Sequence, residues 1–136
     1  MKEHVLEFRV RYQETDGQGR VHHANYLTFF EMGRTEQMRA AGMDYRDMER
    51  DGFFLVVARA DLKYHAGAKF DDVLRLVTTT VRMKGATVEH KYRVFRDEQL
   101  IVEGHTRLGC IDSQGKVRRL PSWLIGEQEP LEESDG

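Results

Sequence analysis

The sequence predicts an α+β fold in which a five- to six-stranded antiparallel sheet curls around one long central helix. Alternating apolar and charged side chains over residues 5–12 indicate a first strand. Over residues 24–41 the apolar positions recur at helical spacing and cover more than half of the helix circumference. The strand-like segments that follow are joined by short turns, which makes neighbouring strands antiparallel. A helix that is apolar nearly all round needs a sheet wrapped about it, so the sequence predicts one layered domain.

The elements are predicted in the order strand, long helix, short helix and further strands. The first strand ends in a polar stretch, 14–19, whose two glycines permit unusual backbone angles. Gly33 is expected to let the sheet approach the helix closely, and Gly42 is expected to end the helix. Asp44 is predicted to cap a short helix that ends before Gly52. The remaining strands are predicted at 54–64, 72–83, 87–96 and 99–112, with a short last strand near 117–120.

The composition limits the classes of protein to which the chain can belong. The chain has 136 residues and a net charge of −2 without a basic tract, which argues against nucleic acid as a partner. The single cysteine, Cys110, lies in an alternating apolar stretch and is interpreted as a buried strand residue. The N-terminus has no apolar signal-peptide core, and no run is long enough to span a bilayer. We therefore expect a cytoplasmic protein with one domain over 1–125 and a disordered acidic tail over 126–136.

A motif just before the long helix resembles the signature of a known family. It consists of Tyr12, Thr15-Asp16, Gly19, Val21 and His23-Ala24-Asn25-Tyr26. This pattern is similar to that of the 4-hydroxybenzoyl-CoA thioesterase-like hotdog family, above all to the small bacterial acyl-CoA thioesterases associated with the Tol–Pal cluster. The similarity continues along the helix and covers about residues 5–121. At Arg20 and His22 many relatives have Val or Ile and an aromatic residue, whereas both are basic here, which leaves the acyl group open.

The resemblance implies a hotdog fold and an enzyme that hydrolyses the thioester of a short-chain or aromatic acyl-CoA. It makes Asp16 the catalytic carboxylate and the backbone N–H of His23 a donor to the developing oxyanion. The first N–H groups of a helix lack intrahelical partners and carry the positive end of its dipole, which suits this role. Asp16 acts either as nucleophile, through a mixed anhydride, or as general base toward water. By residue type alone, an aspartate in Thr-Asp-Gly is more often a turn or capping residue.

Further substrate-binding residues are predicted at Tyr12, Gly19, Asn25, Arg82 and Lys84. Asn25 is also expected to support the loop. Arg82 and Lys84, at the turn between the third and fourth strands, are candidates for pairing with the phosphates of coenzyme A. Arg118 and Arg119 are a second choice for that role. No further Cys or His lies at zinc-like spacing near the adjacent histidines of the motif, so neither a metal nor a cofactor is expected.

Several positions keep two interpretations. Glu31 and Arg34, three residues apart on the helix, are interpreted as a helix salt bridge, with a contact near the pocket or a dimer interface as the alternative. Phe54, Val56 and Val57 either line the acyl pocket or belong to the core.

The assembly and two competing functions complete the expectations. An unprotected sheet edge tends to pair with another chain, and the resemblance implies a homodimer or, with more weight, a homotetramer. The partner is expected to be an acyl-CoA, with an acyl-carrier protein as an alternative thioester carrier. A non-catalytic acyl-CoA or acyl-carrier-protein binding module and a hotdog hydratase or dehydratase remain open alternatives.

Overall fold

The computed structural model describes residues 2–128 of the chain. Five strands, three helices and one short 3-10 turn follow one another along this part of the chain. In order they are β1 (Lys2–Arg9), the 3-10 turn (Tyr12–Glu14), α1 (Asn25–Ala40), α2 (Tyr45–Arg50), β2 (Phe54–Tyr64), β3 (Val73–Lys84), β4 (Thr87–Arg96), β5 (Gln99–Ile111) and α3 (Ser122–Gln128). None of the helices in the described part is long and apolar enough to cross a membrane.

The five strands form one antiparallel sheet in the order β1-β3-β4-β5-β2. The predicted α+β class with a five-stranded sheet is therefore confirmed, and β1 and β2 are its edges. The short strand expected near 117–120 was predicted wrongly, because only an isolated bridge forms between Ile111 and Val117. Leu120 donates instead to the carbonyl of Gly85, so this segment crosses the end of the sheet rather than extending it.

The first strand also ends earlier than its alternation suggested. β1 stops at Arg9, and the backbone then folds into the 3-10 turn at Tyr12–Glu14. The amide of Glu14 donates to the carbonyl of Arg11, and the amide of Thr15 donates to the carbonyl of Tyr12. These local bonds replace the ladder with β3, and they begin the loop that leads to α1.

α1 packs one face against the sheet. Its buried residues are Tyr26, Phe29, Phe30, Gly33, Arg34, Gln37 and Met38. The expectation of a helix buried nearly all round is wrong for the single chain, because one sheet covers only one side of a helix. Leu27, which the periodicity placed in the buried stripe, is 42% exposed, and Glu31 is exposed beside it.

Gly33 is a point of close approach between α1 and the sheet, as expected from the sequence. A Cβ atom built at this residue would overlap the Oγ1 atom of Thr78 and lie 2.8 Å from the Cδ2 atom of Leu76. Both contacts come from β3, which lies directly beneath the helix. The absence of a side chain at Gly33 therefore sets the distance between helix and sheet.

A second apolar cluster closes the far end of the sheet. It comprises Met38, Met48, Met83, Val88, Leu108, Cys110, Leu120 and Leu124. The Asp44 cap is confirmed, since its side chain accepts a hydrogen bond from the amide of Arg46 at 2.7 Å. α3 was not predicted, and its residues 126–128 belong to the segment expected to be an acidic tail. The rest of that expected tail, 129–136, lies outside the described residues.

The core between α1 and the sheet contains a polar network. Arg34 is only 8% exposed and donates to the hydroxyl of Tyr92 at 3.1 Å, and that hydroxyl lies 2.6 Å from Oγ1 of Thr106. The expected salt bridge between Glu31 and Arg34 does not form within the described residues. Arg34 instead uses tyrosine hydroxyls as its acceptors, because its side chain turns inward while Glu31 faces outward.

The buried His90 makes stability depend on pH. Burial, together with the nearby charges of Arg34 and His105, lowers the pKa of His90 to about 3. The unfolded histidine binds its proton near the ordinary value of about 6.5, so lowering the pH favours the unfolded state until the pH reaches the folded pKa. We expect this group to cost about 2 kcal/mol of unfolding free energy between pH 7 and pH 5. Urea unfolding at both pH values should show that loss in the parent and a smaller loss in His90→Gln; identical losses would contradict it.

Candidate functional site

Asp16 lies on the loop between the 3-10 turn and α1. Its Oδ1 atom accepts hydrogen bonds from the amides of Gln18 at 2.8 Å and Arg20 at 3.3 Å. Gly19 closes the turn with a φ of 79°, in the left-handed region that favours glycine. The other oxygen, Oδ2, has no hydrogen-bond partner among residues 2–128. One oxygen therefore holds the turn and the second is available for chemistry.

The hydrogen bonds of the loop also set the charge state of this carboxyl. The amide of Gln18 is the main cause that lowers the pKa of Asp16 below its ordinary value, and the nearby His22 adds to it. Donors to a carboxylate stabilise its charged form. Asp16 is therefore ionised at neutral pH, as a nucleophile or a general base requires.

The local geometry of this loop occurs a second time in the chain. After β5, Asp112 accepts from the amides of Gln114 at 2.8 Å and Lys116 at 2.9 Å, and Gly115 has a φ of 84°. The turn around Asp16 is therefore an ordinary structural motif, as the residue type alone suggested. What distinguishes Asp16 from Asp112 is the groove and the helix start beside it.

Glu14 anchors the loop that carries Asp16 to α1. Its backbone carbonyl accepts from the amide of His22 at 2.9 Å and from Nδ2 of Asn25 at 2.8 Å. Its carboxylate is only 6% exposed and accepts from the backbone N–H of Arg11 at 2.7 Å and from the guanidinium of the same residue. Asn25 thus holds the loop, as expected for one of its two roles. The sequence offered no signal for Glu14 beyond its place inside the motif.

The start of α1 presents a free backbone donor. The amide of Ala24 donates to Nδ1 of His22 at 3.1 Å, and the amide of Asn25 donates to the carbonyl of the same histidine at 2.9 Å. The N–H of His23 has no acceptor within the described part of the chain. The rings of His22 and His23 are stacked with their centroids 4.2 Å apart. A free N–H at the positive end of a helix suits a developing oxyanion.

Asp16 and His23 border the same open groove, which has a volume of about 370 Å³. Tyr64, the last residue of β2, forms part of its wall and donates from its hydroxyl to the carbonyl of His23 at 3.2 Å. Its ring also meets the ring of Tyr26 at a centroid distance of 5.9 Å. The loop residue Arg20 lies along the opposite part of the groove. Through its hydrogen bond to His23, Tyr64 fixes the backbone at the start of the helix.

Two predicted substrate-binding residues lie outside the wall of this groove. Tyr12 is 77% exposed, and its ring meets the edge of Phe70 at a centroid distance of 5.7 Å. Gly19 is exposed and shapes the turn that holds Asp16. Within one chain, neither residue contributes to the groove lining.

Arg82 and Lys84 lie at the far end of β3. Lys84 pairs with Thr87 on β4, and Thr87 pairs with Gly109 on β5. Gly109 in turn pairs with Val56, near the start of β2. The last residue of β2 borders the groove, eight residues further along the strand. At 3.3 Å per residue this separation is about 26 Å. A single chain therefore does not bring its basic turn and Asp16 together.

Arg118 and Arg119, the second choice for binding the phosphates of coenzyme A, lie at that far end of the sheet as well. The guanidinium of Arg118 lies 3.6 Å from the ring centroid of Phe53 and donates to the carbonyl of Gly52 at 2.9 Å. Arg119 is exposed. Arg118 therefore stabilises the connection between α2 and β2.

A second pocket of about 360 Å³ opens between α1, α2 and β2. Its apolar lining consists of Met48, Phe53, Leu55, Val56, Val57 and Leu108. Arg34, Tyr45 and two glutamates add polar groups. Val56 and Val57 thus line a pocket, whereas Phe54 is not part of its wall. This second pocket and the Asp16 groove lie at opposite ends of β2.

The part of the chain that the structure describes contains no set of side chains arranged to bind a metal ion. Residues 2–128 contain no group of three or more His, Cys, Asp or Glu side chains placed to hold an ion. The adjacent rings of His22 and His23 stack on one another rather than converging on a point.

These features define a hotdog-fold protein with an ionised loop carboxylate at the start of its central helix. The thioesterase-like superfamily profile matches residues 10–127, and the chain belongs to this family. It is 31% identical to the acyl-CoA thioester hydrolase YbgC of Escherichia coli O6:H1 over 88% of this chain and 90% of that protein. It is 34% identical to the acyl-CoA thioesterase YbgC of Haemophilus influenzae over 81% of each chain.

Solved structures agree with this assignment. The DHNA-CoA thioesterase of Staphylococcus aureus superimposes with a TM-score of 0.86 and 28% identity, over 93% of this chain and 86% of that one. The predicted family, the hotdog fold and the thioester hydrolase class are therefore confirmed.

Proposed function

We propose that the chain hydrolyses acyl-CoA thioesters with Asp16 as nucleophile or general base and the N–H of His23 as oxyanion donor. The observation that carries this proposal is the joint position of two unused groups, Oδ2 of Asp16 and the amide of His23, on one groove. The names of the relatives support coenzyme A as the thiol carrier. Release of free thiol from a panel of purified acyl-CoAs tests the activity, and binding without thiol release would favour a non-catalytic module.

The geometry supports two routes, each of which begins with a tetrahedral oxyanion formed from the thioester carbonyl. In the first, Oδ2 of Asp16 attacks the carbonyl carbon, the oxygen becomes an oxyanion at the N–H of His23, and the thiolate of coenzyme A leaves. Water then hydrolyses the mixed anhydride and restores the carboxylate. In the second, Asp16 takes a proton from water, and the resulting hydroxide attacks the carbonyl carbon. The tetrahedral adduct then expels the thiolate of coenzyme A, and the proton on Asp16 passes to that leaving group. Both routes need an ionised Asp16, and the lowered pKa of this residue supplies it.

We infer that a second copy of the chain completes the site by pairing along β2. This edge strand is exposed along most of its length, and the exposed Glu31 of α1 lines the same pocket as Val56 and Val57. Antiparallel pairing about the middle of β2, near Ala60, would place the groove of one copy beside Val56 and Val57 of the other. The second pocket of one copy would then adjoin the carboxylate of its neighbour.

The same pairing gives the predicted phosphate-binding turn a role. Lys84 is level with Val56 in the sheet register and three strand spacings away, which is about 14 Å. The basic turn of the second copy would therefore lie at the end of the sheet where the groove opens. An extended pantetheine arm spans roughly that distance. The cytoplasmic location, the tetramer and the choice of coenzyme A over an acyl-carrier protein stay predictions.

A charge placed on β2 should separate the copies and remove activity. Val57→Asp puts a carboxylate on the proposed interface at a residue that is 54% exposed in the single chain, so the fold itself should persist. We expect the mass in solution to fall to that of a monomer and thiol release to fall more than tenfold. Light scattering and the acyl-CoA assay measure these effects.

Val5→Asp is the matched control, because Val5 is also 54% exposed but lies on β1, the opposite edge. It should retain both the mass and the activity of the parent. A parent protein that is monomeric and fully active at micromolar concentration would contradict the β2 pairing.

A further inference from the structure

Arg20 is a cation of the Asp16 groove that no acidic side chain neutralises. Its guanidinium forms no ion pair within 4 Å of any described carboxylate, Asp16 included. Its backbone is fixed beside the catalytic residue, because its carbonyl accepts from the amide of Asp16 at 2.8 Å. An isolated bridge joins the same residue to Lys69. The side chain thus starts from a rigid point next to the reacting carboxylate.

The wall opposite the Arg20 stem is also fixed. A Cβ atom built at Gly67 would lie 3.2 Å from Cδ of Arg20, so the glycine makes room for the stem. The carbonyl of Gly67 accepts from Arg96 at 2.9 Å, and Arg96 is paired with Asp72 at the same distance. The Arg20 stem therefore lies between two anchored backbone segments.

No other permanent cation lines the groove, so Arg20 is the residue of the lining that can form an ion pair with an anionic group. Besides Arg20, the ionisable groups that line it are Asp16, His23, Tyr26, Tyr64 and His65. Nε2 of His65 lies 2.8 Å from Oε2 of Glu103, a residue that does not line the groove. Arg20 is therefore the permanent cation of this lining, and an arginine pairs best with a carboxylate or a phosphate.

We propose that Arg20 binds a second carboxylate at the far end of the acyl group, so that the preferred substrates are thioesters of short dicarboxylic acids. This inference rests on the proposed thioesterase function and names its substrate class. An arginine side chain extends about 7 Å from its Cα atom, and the distal carboxyl of a four- to six-carbon diacid lies about 4–8 Å from the thioester carbon. A thioester carbon held at Asp16 would bring that carboxyl within reach of the guanidinium.

The phosphates of coenzyme A do not fit the same position. An extended pantetheine arm places the nearest phosphate roughly 15 Å from the sulfur, whereas Arg20 follows Asp16 by four residues in a closed turn. A phosphate at Arg20 would require the arm to fold back on itself. The second carboxylate of the acyl group meets the guanidinium without such a bend.

A comparison of isosteric substrates tests the proposal. Succinyl-CoA and butyryl-CoA differ by a carboxylate in place of a methyl group, and butyryl-pantetheine lacks the phosphates. We expect the parent to favour succinyl-CoA over butyryl-CoA in kcat/KM, and Arg20→Met to reduce this ratio about five- to tenfold. Lys69→Met, which removes the neighbouring cation, should keep the ratio of the parent.

The outcomes separate the proposal from the function on which it rests. An unchanged ratio in Arg20→Met would overturn the proposal while leaving the thioesterase function intact. A loss for both CoA substrates, with no loss for butyryl-pantetheine, would assign Arg20 to the phosphates and would also overturn it. Failure of the parent to release thiol from any acyl-CoA would instead refute the proposed function.

Discussion

Asp16→Asn should lose nearly all thiol release while remaining folded. The amide oxygen of Asn can still accept from the amides of Gln18 and Arg20, so the turn is retained. The amide has neither the nucleophilicity nor the basicity of a carboxylate, and we expect kcat to fall by roughly a thousandfold. Thiol release from an acyl-CoA measures the activity, and thermal unfolding checks the fold.

The second aspartate turn provides the control for this experiment. Asp112→Asn makes the same chemical change in a turn with the same pattern of hydrogen bonds, far from the groove. It should leave the rate unchanged. Turnover by Asp16→Asn close to the parent rate would remove Asp16 from the catalytic role, whichever of the two routes operates.

Gly33→Ala should destabilise the fold by about 1 kcal/mol, although alanine is the better helix former. Helix propensity alone predicts a gain of about 1 kcal/mol. The added methyl group, however, overlaps Oγ1 of Thr78 and lies 2.8 Å from Cδ2 of Leu76, and overpacking of this kind typically costs about 1–3 kcal/mol. The helix must move away from β3 or the buried side chains must leave their rotamers. Urea unfolding at neutral pH gives the free energy.

Gly109→Ala is the matched comparison. Gly109 lies on β5, and a Cβ atom there meets no atom within 4 Å. This variant should be neutral or slightly more stable. If Gly33→Ala gained stability as well, the close approach of α1 to the sheet would not limit the packing.

The sequence predicted the elements whose pattern is periodic and missed those set by distant partners. The alternation along β3 to β5 and the helical spacing of α1 follow directly from burial on one face. Residues 117–120 also look like a strand, but the bond from Leu120 to Gly85 carries them across the sheet. That bond joins residues far apart in sequence, and no local pattern reports it.

The candidate site, like the fold, could be predicted only in part from the sequence. Asp-Gly-Gln-Gly-Arg at 16–20 and Asp-Ser-Gln-Gly-Lys at 112–116 form matching turns, so residue types alone could not single out Asp16 as the candidate carboxylate. The family motif singles out Asp16, because only the first turn is followed by His23-Ala24-Asn25-Tyr26. Glu14 and Tyr64 hold the loop through backbone carbonyls, which no pattern of side chains reveals.

Cys110 lies in the interior of β5 with no exposed surface, and burial raises the pKa of its thiol. It is the one cysteine in the sequence. A thiol reagent can reach it only when β5 and the apolar cluster around it open, since the reactive form is the solvated thiolate. Labelling of Cys110 in the unmodified chain can therefore be used to follow opening of the native state. The rate at which this sulfur is labelled reports how often the far end of the sheet opens, without an introduced probe.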